Sequence, residues 1–152
     1  MKTSTSIIFA LCCTGVVGCV TPDSEAPETD TQAESLAGLS AAPTTSPAAA
    51  SRTFSTTWGF TCESGYACAL VPYSNGWYTF KFFNYGTYAL SNWLGTGVGF
   101  NDQTGGAAMR LLNNGGGQIE CIRGVGSDGL SHFDDNENWN PVFRIQLTPS
   151  GC

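Results

Sequence analysis

Residues 77–82, WYTFKF, decide the fold class. Tyr78, Phe80 and Phe82 project to one side and Thr79 and Lys81 to the other, the period of two expected of a strand with one buried face. Phe143, Ile145 and Leu147 alternate in the same way with Arg144 and Gln146, and residues 119–123, IECIR, form a further short strand with a glycine cluster on each side. Gly, Asn and Ser interrupt every stretch long enough for a regular helix, and only Ala107 to Leu112 leaves room for a partly helical segment. Short strands at this spacing predict an all-β sandwich of antiparallel sheets over residues 54–152.

Four cysteines lie in that domain: Cys62, Cys68, Cys121 and Cys152. In an exported chain an even number reads as a disulfide framework, with three possible pairings. The five-residue loop between Cys62 and Cys68 brings them within bridging range, which favours that pair and leaves Cys121 with Cys152. Zinc competes for the same thiols, but there is no paired CxxC spacing and His132 is the single histidine.

Upstream, Lys2 and the apolar run Ile7 to Val17 read as an export signal (1–18), too short to span a membrane. It ends in Val16-Val17-Gly18-Cys19, which resembles a bacterial lipobox and makes Cys19 the lipidated residue. The protein is then exported and anchored by lipid at the cell surface or outer membrane; ordinary secretion is the other reading. Residues 19–53 are rich in Pro, Ala, Ser, Thr and acid and contain no aromatic residue, the composition of a disordered stalk. Much of the chain's net charge of −6 resides there. Residues 53–152 carry seven acids and four bases, a balance that argues against a nucleic-acid partner.

The residues expected of an enzyme do not assemble. A lone His132 with no nucleophile elbow does not make a hydrolase. Asp134, Asp135 and Glu137 form an acidic knot that reads as solvated turn residues or part of a cation site rather than as glycosidase carboxylates. Residues 124–129, GVGSDG, match a dinucleotide-binding pattern by letter but lack its βαβ frame. Trp58, Trp77, Trp93 and Trp139 are candidates for an aromatic platform that takes glycan or protein, with burial in the core as the alternative. The expectation is a monomeric protein that is not an enzyme.

The motif Cys62-Glu63-Ser64-Gly65-Tyr66-Ala67-Cys68, the turn Tyr73-Ser74-Asn75-Gly76, the segment Thr87-Tyr88-Ala89-Leu90-Ser91-Asn92-Trp93 and the loop Asn101-Asp102-Gln103-Thr104-Gly105-Gly106 follow one another in an informative order. Together they resemble the βγ-crystallin-like peptidase inhibitors secreted by bacteria, over most of residues 58–147. The resemblance implies two Greek-key motifs. It also implies inhibition of an extracellular peptidase, of metalloproteinase type, through Glu120, Cys121, Ile122 and Arg123, with Ile122 entering the enzyme's apolar pocket. That role requires an exposed Ile122; a plain strand would bury it. The family's second disulfide returns to a position that is Gly126 here, so Cys152 must supply the staple. In calcium-binding relatives the loop is a metal site, which makes Asn101, Asp102 and Thr104 candidate calcium ligands, although Gly105 lacks the oxygen that the fifth position supplies. No other cofactor is implied. The alternative to inhibition is a surface module that binds calcium, glycan or protein, and a purely structural lipoprotein stabilised by two disulfides stays open beside them.

Overall fold

The computed structural model describes residues 40–152. The signal segment 1–18, Cys19 and the stalk up to residue 39 lie outside the described residues. The rest forms ten strands and no helix: β1 (Thr44–Ser46), β2 (Ser51–Ser55), β3 (Ala67–Tyr73), β4 (Gly76–Phe82), β5 (Gly86–Ser91), β6 (Thr96–Asn101), β7 (Ala108–Leu112), β8 (Gln118–Arg123), β9 (His132–Asn138) and β10 (Arg144–Thr148). They pair into two antiparallel five-stranded sheets, A in the order β1-β5-β10-β7-β8 and B in the order β2-β4-β3-β6-β9.

The alternation read from the sequence sets the inner faces. Phe80 and Phe82 of β4 meet Ile145 and Leu147 of β10 and Met109 and Leu111 of β7 in one buried cluster. Phe143 lies just outside β10 and is exposed, so the inward alternation there starts at Ile145. Two tryptophans close the core at matched places, Trp93 between β5 and β6 and Trp139 between β9 and β10, with ring centroids 5.0 Å apart and nearly perpendicular. Each indole N–H is satisfied: Trp93 donates to the Thr44 carbonyl at 2.9 Å and Trp139 to the Leu70 carbonyl at 3.0 Å. Buried Tyr and Trp need such partners, which is why their polar atoms also fix neighbouring strands.

Two expectations are corrected. Ala107 to Leu112 contains strand β7 rather than a helical piece, because Ala108, Met109 and Leu111 are buried between β10 and β8. The boundary at residue 53 falls too late. β1 pairs with β5 and β2 with β4, and Pro43 is fully buried, so the folded domain includes the last part of the presumed stalk. Arg52 stacks its guanidinium 4.1 Å from the centre of the Tyr78 ring, which ties β2 to the aromatic face of β4.

The disulfides are Cys62–Cys68 and Cys121–Cys152, with Cα separations of 5.9 and 5.8 Å. Two such bonds fit an oxidising compartment.

Candidate functional site

The loop at 101–106 is a structural joint. Asn101 is fully buried; its Nδ2 donates to the Ile122 carbonyl at 2.9 Å, and its Oδ1 accepts from the Gln103 amide at 3.2 Å. Both polar atoms of the first candidate calcium ligand are therefore engaged, one holding β6 to β8 and the other closing the turn onto Gln103. The Asp102 amide donates to the Tyr66 carbonyl at 2.9 Å and its carbonyl accepts from Gly65, so the Cys62–Cys68 loop is fastened to the same turn. Thr104 and Gly105 are exposed. Gln103, which sequence reasoning passed over, is buried; its Nε2 donates to the Phe83 carbonyl while its Oε1 has no donor.

Residues 118–123 form β8, the edge strand of sheet A, and among the described residues it pairs only with β7. The disulfide to Cys152 supplies the staple that Gly126 cannot. The exposed Ile122 expected of an inhibitory strand is not found: Ile122 is 4 % exposed and belongs to the core cluster with Met109 and Trp139. Alternation explains this, since the face that carries Ile122 points between the sheets. The apolar side chain offered to solvent is Ile119, 43 % exposed, and Arg123 is exposed beside it. Glu120, Cys121, Arg123, His132 and Phe133 border one shallow depression where β8 and β9 run side by side.

The aromatic residues divide. Trp93 and Trp139 are in the core, so they cannot form a platform. Trp58 is 59 % exposed and meets Trp77 edge to face at 4.6 Å. On the outer face of sheet B, Phe100 lies opposite Phe133 in the β6–β9 register, with Phe60 6.2 Å from Phe100 and Phe133 61 % exposed.

The acidic knot separates as well. Between Gly97 and Gly99 the β6–β9 ladder carries a bulge, so Gly97 faces Glu137 and Gly99 faces Asp134. In a regular strand, residues three apart point to opposite faces; the extra residue turns Asp134 and Glu137 to the same side. There they meet Glu120 from β8: one oxygen from each of the three carboxylates lies within 4.8 Å of the other two. Asp135 stays exposed. Glu137 is 3 % exposed and its Oε2 has no hydrogen-bond partner. Burial pushes its carboxyl up from 4.5 to about 8, reinforced by a hydrogen bond with Glu120 and by the charges of Glu120 and Asp134.

A folded-state value above the unfolded one means that the folded domain retains a proton the unfolded chain has already released. The resulting stability is complete below 4.5 and is lost as pH rises through about 8. In chelator-treated buffer, wild type is expected to lose roughly 3 kcal/mol between acidic and mildly alkaline pH. Glu137→Gln should lose almost none of it. Urea unfolding of both proteins across that range measures the difference, and parallel pH profiles would rule out the buried Glu137 as its source.

No protein-family profile, curated protein or solved structure matches this chain.

Proposed function

We propose that the chain is an exported, lipid-anchored surface protein whose βγ-crystallin-like domain acts by gripping a protein partner rather than by catalysis, and that the partner is an extracellular peptidase. The strand order supports two interlocked Greek keys: β3, β4 and β6 share a sheet while β5 crosses to the other, and β7, β8 and β10 share a sheet while β9 crosses back. The observation that carries the binding role is the side of the sandwich where the free edge of β8 lies next to Phe133.

An edge strand offers unpaired backbone groups to an extended segment of another protein, and a peptidase's substrate cleft makes that kind of pairing. The Cys121–Cys152 bond and the β7 ladder hold β8 stiff, so little ordering entropy is lost on docking. Phe133, Phe100 and Phe60 add aromatic anchors on a rigid sheet. Protein fits better than glycan, because the exposed Trp58 ring stands at 85° to Trp77 instead of presenting a second parallel face to a sugar. Calcium at Asp102 and Thr104 is the second reading, favoured by the buried Gln103 Oε1 that lacks a donor.

The test assays the purified chain, disulfides intact, against a thermolysin-type metallopeptidase and a subtilisin-type serine peptidase. Stoichiometric inhibition by wild type is expected, falling at least about tenfold in Ile119→Asp or Phe133→Asp. Folded wild type that inhibits neither class would overturn the peptidase reading for those targets.

A further inference from the structure

We propose that Glu120, Asp134 and Glu137 form a binding site for a calcium-sized hard divalent cation that staples the two sheets together at their β8–β9 side. The site is distinct from the loop at 101–106. Three carboxyl groups with mutually close oxygens cannot all ionise without repelling one another, and a domain of this size has little stability to spend on such repulsion. The geometry offers a cause for the arrangement. Calcium takes oxygen ligands at about 2.3–2.6 Å, so two ligands on opposite sides of the ion stand roughly 5 Å apart. The three carboxylate oxygens here, all within 4.8 Å of one another, fit inside that span. Magnesium, with its shorter and stricter octahedron, is served less well by it. The donor set is oxygen only, which suits a hard cation and not zinc or copper.

The independent sign of a missing ligand is Glu137. Its side chain is nine-tenths or more buried, contributes one of the three converging oxygens, and leaves Oε2 without any donor. A buried polar atom without a partner is rare in a native fold and points to a group that completes it. The bulge opposite Val98 serves the same end, since a regular β9 would turn Asp134 or Glu137 away.

The mechanical consequence follows from the topology. β8 is the edge of sheet A and β9 the edge of sheet B, and no ladder joins them. A cation held by Glu120 on one side and by Asp134 and Glu137 on the other would supply that link. Bound only by the folded state, it stabilises the domain by mass action.

The test is calorimetric titration of the chelator-treated full chain with calcium at mildly alkaline pH, paired with thermal melts and repeated with magnesium. Wild type is expected to bind one calcium at this site and to gain about 5–10 °C in Tm at saturation. Glu137→Gln and Glu120→Gln should each weaken binding at least roughly tenfold and lose most of the Tm gain, because affinity follows the charge count of the ligands. Asp102→Asn should keep both. Glu120 is only partly buried, so Glu120→Gln decides the matter if Glu137→Gln fails to fold. Absence of calcium binding by wild type, binding that survives both carboxylate substitutions, or binding lost only in Asp102→Asn would each overturn the proposal.

Discussion

Ile122→Asp is expected to unfold the domain, while Ile119→Asp, three residues away on the same strand, leaves it folded. Ile122 sits in the core cluster opposite Met109 in the β7–β8 register, and its Cδ1 occupies the space beside Gly99, 2.5 Å from where a Cβ on that glycine would stand. A carboxylate placed there is buried among the apolar side chains of the core cluster. Leaving a buried charge unpaired costs about 5 kcal/mol or more, comparable with the whole stability of a domain. Ile119 is exposed, so its replacement stays within roughly 0.5 kcal/mol. Circular dichroism and urea unfolding of the two variants measure the contrast. An Ile122→Asp protein that melts within a few degrees of wild type would show that Ile122 is not a core residue. The contrast also governs how inhibition is tested, since loss of activity in Ile122→Asp reports unfolding, whereas loss in Ile119→Asp reports contact with the partner.

Much of the fold is legible in the sequence because it depends on local pattern. The alternation in WYTFKF places Phe80 and Phe82 inside without knowledge of what they face, and the short loop between Cys62 and Cys68 favours that disulfide without knowledge of the sheets. What escapes local reading depends on the partner strand. β1 and β2 come from a Pro-, Ala-, Ser- and Thr-rich stretch, yet they join the sheets through backbone groups that any residue carries. Thr44 matters for its carbonyl, which accepts the Trp93 indole N–H, and no side-chain pattern announces that. Ile122 was ambiguous for a similar reason. A strand that alternates Ile119, Glu120, Cys121 and Ile122 has one apolar residue on each face, and only the inter-sheet packing decides which is buried. The convergence of Glu120 with Glu137 was beyond sequence reasoning, because it requires both the crossing of β9 into sheet B and the bulge that turns two residues three apart to one side.

The same dependence makes Gly97→Ala the second severe substitution. A Cβ at Gly97 would lie 1.9 Å from the Leu70 carbonyl oxygen and 2.6 Å from the Trp139 Nε1. Those two atoms are hydrogen-bonded to each other at 3.0 Å, so the methyl group would be driven into the bond that fixes the β9–β10 connection onto β3. Neither neighbour can yield cheaply: one is backbone in a central strand of sheet B, the other belongs to a fully buried ring. Strain from overpacking and a disrupted buried hydrogen bond together cost about 3–5 kcal/mol. Gly99→Ala offers the control two residues along the same strand. Its Cβ would press only on the tip of the Ile122 side chain, with Trp139 at an ordinary 3.9 Å, and rotation of that side chain limits the cost to about 1–2 kcal/mol. Urea unfolding followed by tryptophan fluorescence resolves the two, and equal losses in both variants would contradict the backbone clash. Gly97 faces Glu137 across the β6–β9 ladder. A strand displaced there moves the buried carboxylate too, so a folded remnant of Gly97→Ala should respond to calcium less than Gly99→Ala does, which ties the packing of the core to the staple at its edge.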